Sequence, residues 1–489
     1  MTIFGVSAGF HDASISVVRG NNILFAGHSE RYSRKKNDPS LNLGIVTDAI
    51  RNSGLPSEIV YYERPWLKKT RQWFSGQKSE FDYKKHLNHF FKGIPIRTVG
   101  HHESHAAAGF YTSGYEDAAI IVCDAIGEWD TISVWTANST KGLKKIWSTK
   151  YPNSMGLLYS AFTQKAGFKP NEEEYILMGA SAFGSPIYVD EIFNQLVDMD
   201  GHEFELKQNV HIGLGKLFEH ASPTDLASSI QKVLEMYLSN LFKWVKEQTK
   251  QKNLVYMGGV ALNCVANSAL AKLKCFDDIW IMPNPGDSGS SLGAILAHTN
   301  KHVQWKSPFL GHNIVKIKPV DIDKMVSSLM GGSIVALADG RAEFGPRALG
   351  NRSILADPRY FQAKDNVNTI KKRQKFRPFA ASILEEHCYE HFVVPDILLN
   401  RSPYMQFVAE AREDTIHRYK SILHKDNTSR IQTVRQKQNP VLHEILELFY
   451  ERTGCPMLLN TSMNIKGMPL VNTWDDALEF QKKYNVEVF

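Results

Sequence analysis

The chain has 489 residues, of which 43% are hydrophobic and 22% charged, and its formal net charge is +6. This composition excludes a disordered or fibrous protein and predicts a globular one, while the length predicts two or more domains. The Lys and Arg residues look dispersed, and their modest surplus suits anionic ligands but is too small to indicate a nucleic-acid partner.

Five cysteines occur along the chain, and none forms a Cys-x-x-Cys pair. Their odd number predicts buried free thiols in a reducing compartment rather than a disulfide framework. The opening MTIFGVSAG is typical of a strand and not of a signal peptide, and the apolar runs are shorter than the ~20 residues that a membrane helix needs. We therefore expect a cytoplasmic protein without membrane contact, and its oligomeric state stays open.

Short apolar runs that end in Gly, Asp or Ser alternate with helical patterns, which predicts an α/β fold. Residues 64–93 are rich in Lys, His and aromatic side chains without clean periodicity, so we expect a long exposed excursion there. In chain order, the predicted elements before residue 300 include strands at 3–7, 23–25, 96–99, 118–123, 254–257 and 279–282, and helices at 40–53, from 101 onward and at 224–249.

A domain boundary is expected near residue 315. Residues 303–320 carry Pro and Gly without helical periodicity, and the alternation of helix and strand restarts after them. We predict helix 321–330 and strand 333–337 beyond this point, followed by an Arg-rich loop. The chain therefore divides into residues 1–315 and residues 316–489.

The segment HHESHAAAGF predicts a helix with two histidines on one face. His101 and His105 lie four residues apart, a spacing at which two imidazoles can bind one divalent ion. Asp124 follows a predicted strand and Asp287 lies in a glycine-rich loop, where the ligand sites of α/β sheets gather. A surface helix that binds nothing explains the histidines alone, but with the two aspartates the pattern favours a metal site. Iron, manganese and zinc all suit these ligands.

Three glycine-rich loops indicate a nucleotide site. Bare backbone at such loops can approach a nucleotide, and a following helix offers free N–H groups to phosphate. A Gly-Gly pair by itself usually marks only a tight turn, but three such loops in one domain favour an actin-like ATPase that binds ATP with Mg²⁺. The candidate residues outside the Gly5–Gly9 loop are Gly258, Gly259, Asn263, Gly286 and Ser288.

An anion pocket is predicted in the second domain. The segment GRAEFGPRALGNRSILADPR, residues 340–359, places Arg347 and Arg352 among apolar and glycine residues, where an unpaired cation is costly. Guanidinium groups in such surroundings suit phosphate or carboxylate, although an internal network with Glu343 and Asp357 is the alternative. Other segments supply further candidates, namely Lys371, Arg373, Arg377, Arg430, Ser462 and Asn464.

Several motifs together resemble one known family, the carbamoyltransferases of nodulation and antibiotic biosynthesis, including the tobramycin, cephamycin and ansamycin tailoring enzymes. The resemblance implies an N-terminal actin-like domain similar to tRNA threonylcarbamoyltransferase, and a C-terminal α+β domain similar to threonylcarbamoyl-adenylate synthase (YrdC-like). The motifs cover residues 3 to about 480 and include SAGFHDASISVV, HHESHAAAGFY, MGLLYSAFTQKAGF, GGVALNCVANSAL, GDSGSSLGA, EFGPRALGNRSILADPR and GCPMLLNTSMNIKG.

The resemblance also implies a reaction. The C-terminal pocket would convert carbamoyl phosphate and ATP to carbamoyl adenylate, and the N-terminal domain would carbamoylate a hydroxyl of a small-molecule acceptor beside an iron site. By motif, the metal ligands fall on the four residues named above. The Lys-x-Arg pair falls on Lys371 and Arg373, and the Ser-x-Asn pair on Ser462 and Asn464.

Catalytic roles are expected for three residues. His11 or His102 would accept the proton of the acceptor, and Arg347 would stabilise charge on the phosphates. The chain departs from the family at Ile176, where the family's Gly-Glu-x-Lys motif has Lys. A tRNA-modifying enzyme and a nucleotide-binding partner protein with impaired catalysis are the alternatives.

Overall fold

The computed structural model describes residues 1–76, 81–398 and 401–489. It has the mixed α/β fold expected from the sequence. The first sheet has the order β3-β2-β1-β4-β5, and its central strand β1 is antiparallel to β2 and parallel to β4. Its strands and the helices around them are β1 Thr2–Ser7, β2 Ser14–Arg19, β3 Asn22–His28, α1 Ser29–Ser33, α2 Leu43–Ser53, β4 Glu58–Tyr61, α3 Pro65–Phe74, α4 Tyr83–Phe90 and β5 Ile96–Thr98.

A second sheet repeats this topology in the order β12-β11-β6-β7-β8. Its central strand β6 is antiparallel to β7 and parallel to β11. A β9–β10 hairpin accompanies the sheet. The elements of this part are α5 His101–Ser113, β6 Asp117–Gly127, β7 Asp130–Asn138, β8 Gly142–Lys150, α6 Met155–Lys165, α7 Glu174–Ala180, α8 Val189–Gln195, β9 Val197–Asp200, β10 Glu203–Leu206, α9 Pro223–Thr249, β11 Asn253–Met257, α10 Cys264–Lys272, β12 Asp278–Trp280 and α11 Ser290–Thr299.

The remaining residues form an eight-stranded mixed sheet of order β18-β19-β20-β17-β21-β16-β14-β22 and a β13–β15 pair. Strand β13 precedes the predicted boundary at residue 315 and pairs with a strand beyond it. The elements are β13 Phe309–Ile314, α12 Ile322–Met330, β14 Val335–Ala338, β15 Gly340–Glu343, β16 Arg352–Ala356, α13 Ala363–Ile370, β17 Ala380–Leu384, α14 Cys388–His391, β18 Phe392–Val393, β19 Val408–Ala411, α15 Glu413–Arg418, β20 Thr428–Val434, α16 Pro440–Thr453, β21 Met457–Ser462, α17 Trp474–Tyr484 and β22 Glu487–Val488.

Residues 64–93 are not the irregular excursion expected from the sequence, because they contain α3 and α4. Pro65 stands at the first position of α3, and the side chain of Asp82 caps α4 by accepting two backbone N–H groups. The helical period is hidden in α3 because the helix buries Arg71 and exposes Trp73. Most side chains of residues 64–76 and 81–93 are exposed or half-buried, as predicted, but the prediction of irregular chain was wrong there, and residues 77–80 lie outside the described part of the chain.

All five cysteines are free thiols, and four of them are buried, as their number and spacing predicted. Among the described helices, none combines the length and the apolar character needed to cross a bilayer.

Helix α5 lies buried between the first two sheets. From His101 to Thr112 every residue except Glu103 is buried. Its close packing against α11 depends on Gly293, where a Cβ would lie 1.9 Å from the backbone oxygen of Ser104. Strand β1 approaches α11 equally closely, since a Cβ on Gly5 would lie 1.8 Å from the oxygen of Ser291. Small residues therefore set the distance between these three elements.

Gly293→Ala tests this contact. The added methyl group meets backbone rather than a movable side chain, so we expect the free energy of unfolding to fall by about 1–3 kcal/mol, the range typical of overpacking. Gly179→Ala is the control, because its Cβ finds only an ordinary contact with Pro378. Chemical denaturation measures both variants, and equal stability in the two would show that α5 and α11 have room to separate.

Candidate metal and anion sites

Four buried side chains from three parts of the chain converge at one end of α5. His101 and His105 lie on the first two turns of the helix, Asp124 lies on β6, and Asp287 lies in the turn before α11. Their ligand atoms are all within 4.8 Å of one another. The structure therefore brings together all four residues that the sequence predicted as metal ligands.

The separations within this cluster match the dimensions of a metal site. Nε2 of His101 lies 3.2 Å from Nε2 of His105, 3.3 Å from Oδ2 of Asp124 and 3.4 Å from Oδ1 of Asp287. Nε2 of His105 lies 3.6 and 3.3 Å from the same two oxygens. Donors that surround one ion tetrahedrally at about 2.1 Å are about 3.4 Å apart. The cluster fits one divalent ion.

The charges of the cluster balance internally. Burial opposes ionisation of Asp124 and Asp287, but the adjacent imidazoles outweigh burial and hold both carboxyl pKa values below their usual range. Burial also lowers the pKa of His101 and His105, and here the carboxylates outweigh burial and raise both pKa values. A divalent cation would displace the protons that these imidazoles hold.

Three further residues hold the cluster in place. Glu63 follows β4, and its Oε2 lies 3.9 Å from Nδ1 of His101 while its Oε1 accepts from Lys68 at 2.9 Å. A carboxylate behind a ligating imidazole orients the ring. Gly127 packs against the same ring, since a Cβ there would lie 2.4 Å from Cδ2 of His101. Sequence reasoning missed Glu63, although its place just after a buried strand is the signal that identified Asp124.

The two candidate proton acceptors differ in charge. Burial lowers the pKa of His11, but its 3.0 Å contact with Asp12 and the charge of Asp287 outweigh burial and raise the pKa to about 9. Burial and the charge of His101 hold the pKa of His102 well below its usual value. Nδ1 of His102 lies 2.7 Å from the Ser133 hydroxyl. His11 is therefore protonated at neutral pH, and His102 is neutral but buried.

The glycines of the candidate nucleotide loops are available, but two predicted side chains are already engaged. Gly258 has φ +95°, and a Cβ there would lie 2.2 Å from the Cys123 oxygen, so only glycine suits this turn. Asn263 caps α10 and pairs with Gln231 at 2.9 Å. The backbone N–H of Gly259 donates to Asp124, and the hydroxyl of Ser288 donates to Asn284. Gly286 is open, because a Cβ there would contact no other atom.

Four arginines converge in the second part of the chain without a carboxylate partner among the described residues. Arg347 makes no hydrogen bond or ion pair with them, and burial and the charge of Arg430 lower its pKa to about 9. Burial and the charge of Arg377 likewise lower the pKa of Arg373 to about 9. Arg377 is buried and the other three arginines are half-buried, so the cluster presents accessible guanidinium groups of like charge, an arrangement that suits an anionic ligand.

The predicted Lys-x-Arg and Ser-x-Asn residues meet beside these arginines. Nζ of Lys371 donates to the backbone oxygens and side chains of Ser462 and Asn464, at 2.8 Å for Oδ1 of Asn464. Burial and the charges of Arg373 and Arg377 hold the pKa of Lys371 well below its usual value.

Arg352 does not belong to this pocket, contrary to the prediction. It is fully buried, and its guanidinium donates to backbone oxygens of His312, Asp339, Gly340, Asn351 and Asn472. These bonds occupy its donors and leave none for a ligand. Arg359 pairs with Asp357, so the alternative of an internal network applies to part of the segment.

The first part of the chain contributes to the arginine pocket, which the sequence did not suggest. Nε and Nη2 of Arg430 lie 3.2 and 3.1 Å from Sγ of Cys264. Arg377 lies over the ring of Tyr175 at 4.9 Å. The neighbouring Ile176, where the family has Lys, is buried in the core. Tyr175 rather than Ile176 faces the cations.

Two family descriptions match this chain, "Carbamoyltransferase N-terminus" over residues 69–296 and "Carbamoyltransferase C-terminus" over residues 326–489. Nodulation protein NolO of Bradyrhizobium diazoefficiens is 32% identical over 78% of this chain and 75% of its own length. The chain belongs to the carbamoyltransferase family. It is therefore a transferase.

Two other relatives align along nearly their whole length. An uncharacterised Synechocystis protein is 34% identical over 97% of this chain and 93% of its own. The 3'-hydroxymethylcephem-O-carbamoyltransferase of Amycolatopsis lactamdurans is 27% identical over 96% of this chain and 94% of its own length. Among solved structures, full-length HypF in a phosphate- and nucleotide-bound form is 14% identical with a TM-score of 0.37, covering 61% of this chain and 55% of its own.

The cluster makes a direct prediction about metal content. His105→Ala removes a ligand from the centre of the cluster, so we expect the bound metal per chain to fall to near zero while the protein stays folded. His89→Ala is the control, because His89 is an exposed histidine of α4. Elemental analysis of both purified variants checks the prediction, and full metal content in His105→Ala would exclude the site.

Proposed function

We propose that this carbamoyltransferase makes carbamoyl adenylate from carbamoyl phosphate and ATP, and then transfers the carbamoyl group to a hydroxyl of a small-molecule acceptor. The observation that carries the proposal is the presence of two clusters that suit ligands of opposite charge. Arg347 has no partner and the other three arginines have no carboxylate partner among the described residues, which suits a phosphate-bearing ligand, whereas the two histidines and two aspartates suit a cation. Two relatives are named as O-carbamoyltransferases, which supports a hydroxyl acceptor.

The first reaction would occur in the arginine pocket. Carbamoyl phosphate loses phosphate to water and leaves carbamate, whose oxygen attacks the α-phosphorus of Mg²⁺-bound ATP. Pyrophosphate leaves, and the carbamoyl carbon acquires AMP as a good leaving group. Arg347, Arg373, Arg377 and Arg430 would bind the phosphates and stabilise the charge that shifts between them. Lys371 would hold Ser462 and Asn464 in position, as its hydrogen bonds indicate.

The second reaction would occur beside the histidine and aspartate cluster. His101, His105, Asp124 and Asp287 would hold a divalent ion, with Fe²⁺ as the family expectation, and that ion would supply Lewis-acid stabilisation of phosphate or carbonyl oxygen. The acceptor oxygen would attack the carbamoyl carbon, the bond from that carbon to the AMP oxygen would break, and the hydroxyl proton would pass to a base beside the centre. His11 lies 3.9 Å from Oδ2 of Asp287, and the ion would offset the carboxylate charge that raises the pKa of His11, so His11 would remain the candidate acceptor of the hydroxyl proton. Gly286 has open space beside it into which a nucleotide would fit, whereas Gly258 and Gly259 face Cys123 and Asp124.

The fold supports this division of labour. Two sheets of the same topology enclose α5, as an actin-like architecture requires, and the separate eight-stranded sheet carries the arginines of the proposed YrdC-like domain. A catalytically impaired partner protein would not need four buried metal-type donors and a set of unpaired cations. The departure at Ile176 affects a core residue and leaves both clusters intact.

The two reactions should be separable by mutation. Arg347→Met should abolish pyrophosphate release from ATP and carbamoyl phosphate, because it removes a cation that binds phosphate. His105→Ala should retain pyrophosphate release and lose acceptor-dependent transfer. Pyrophosphate and AMP are measured in parallel with and without an acceptor. Equal loss of pyrophosphate in both variants would contradict the two-site scheme.

Recognition of carbamoyl phosphate should depend on guanidinium geometry and not on charge alone. Arg373→Lys retains the charge but loses the planar fork, so we expect KM for carbamoyl phosphate to rise by about ten- to a hundred-fold. Lys375→Arg, two residues away, is the control. Steady-state kinetics and thermal unfolding are compared, and early melting with an unchanged KM would show that Arg373 has a structural role.

A further inference from the structure

The positive charge of the chain is concentrated in one segment and is not dispersed as the composition suggested. Residues 64–97 hold nine Lys and Arg against two acidic residues, whereas the rest of the chain holds 48 against 49. The segment therefore accounts for the whole net charge of +6. A local excess of this size attracts anions toward the surface that carries it.

Helix α3 within this segment turns cations inward and aromatic side chains outward. Arg71 is only 6% exposed and Lys68 contacts Glu63, whereas Trp66 and Trp73 are 63% and 84% exposed. A surface helix normally shows the opposite arrangement. The inward face of α3 therefore places positive charge inside the protein, where it needs a partner.

Arg71 lacks such a partner. No hydrogen bond or ion pair joins it to the described residues, and its Nε is buried without an acceptor. Glu63 exerts its charge on Arg71, but Oε1 of Glu63 accepts from Lys68 and Oε2 faces His101. Burial lowers the pKa of Arg71, and the charge of Glu63 offsets only part of this effect. A buried charge in this state is costly unless a ligand completes the pair.

Helix α3, which carries Arg71, lies beside the turn that packs against the candidate transfer centre. The indole N–H of Trp129 donates to the Thr70 hydroxyl at 3.2 Å, and Phe74 contacts the Trp129 ring at 5.7 Å between centroids. Trp129 belongs to the turn after Gly127, the residue that packs against His101. The charge of Glu63 acts on Arg71, and Oε2 of Glu63 faces the His101 ring at 3.9 Å from Nδ1.

We propose that Arg71 binds a carboxylate or phosphate group of the acceptor, so that the acceptor of this enzyme is an anionic hydroxyl compound. The inference rests on the proposed transfer at the histidine and aspartate cluster. A guanidinium binds either group through two parallel hydrogen bonds, which fixes the orientation of the ligand as well as its charge. The exposed Lys69, Lys84 and Lys85 of α3 and α4 would attract such an acceptor, and the negative group of the acceptor would neutralise Arg71.

The first test asks whether Arg71 is a ligand-binding or a structural residue. Arg71→Met removes the unpaired charge and keeps most of the side-chain volume, and Lys92→Met makes the same charge change at an exposed position of the segment. Without multivalent anions, we expect Arg71→Met to unfold at or above the temperature of the wild type. Unfolding well below it, with Lys92→Met unaffected, would overturn the proposal by showing that Arg71 supports the fold.

The second test identifies which group Arg71 recognises. Radiolabelled carbamoyl phosphate and ATP are supplied with matched acceptors, glucuronate against glucose and glycerol 3-phosphate against glycerol. We expect the wild type to favour the anionic member of a pair at least tenfold in kcat/KM. Arg71→Met should lose about ten- to a hundred-fold on that member and nothing on the neutral one. Equal use of both members by the wild type would overturn the proposal.

AMP release with water as the acceptor separates the acceptor from the adenylate. Arg71→Met should release AMP at the wild-type rate under these conditions, because no acceptor anion takes part. A matching loss of this water-dependent rate would show that Arg71 binds the AMP phosphate instead and would overturn the proposal. Failure of the wild type to release pyrophosphate at all would contradict the proposed function itself, which is a separate outcome.

Discussion

The candidate transfer centre depends on how closely α5 approaches its neighbours. Alanines and Gly109 form the middle of the helix, and a Cβ on Gly109 would lie 2.3 Å from a side-chain atom of Val255. Gly293 permits the same close contact with α11. Because these surfaces are nearly smooth, His101 and His105 reach the ends of β6 and the turn before α11, and a bulkier interface would separate the imidazoles from the carboxylates.

The two clusters differ in how their charges are compensated. At α5, two carboxylates and two imidazoles compensate one another within 3.6 Å. In the arginine pocket, the cations repel one another and no described carboxylate neutralises them. Under the proposed function, the first cluster would exchange its imidazole protons for a divalent ion, whereas an anionic ligand would compensate the second. This contrast is the physical basis for assigning them different substrates.

The second part of the chain is fixed to both halves of the first. Arg31 donates to the oxygen of Gly345 at 2.8 Å, and the side chain of Asn267 donates to the oxygen of Gln406 at 3.0 Å. Tyr175 and Cys264 then complete the wall of the arginine pocket. An intermediate formed among the arginines would therefore already contact the first part of the chain. This arrangement favours transfer within one protein rather than through the solvent.

The sequence by itself determined the α/β class and the family, and it predicted the four side chains that meet at α5 and most of the cations of the arginine pocket. Those features follow from local signals, such as the four-residue spacing of His101 and His105 and the place of Asp124 at a strand end, which do not depend on distant contacts. Only the tertiary structure decided which cations are free. Arg352 and Arg347 lie five residues apart in the same motif, yet one is saturated by backbone oxygens and the other has no partner among the described residues. The sequence could not distinguish these two arginines, and it could not show that Arg71 faces inward. The residues that surround a buried side chain come from segments far away along the chain.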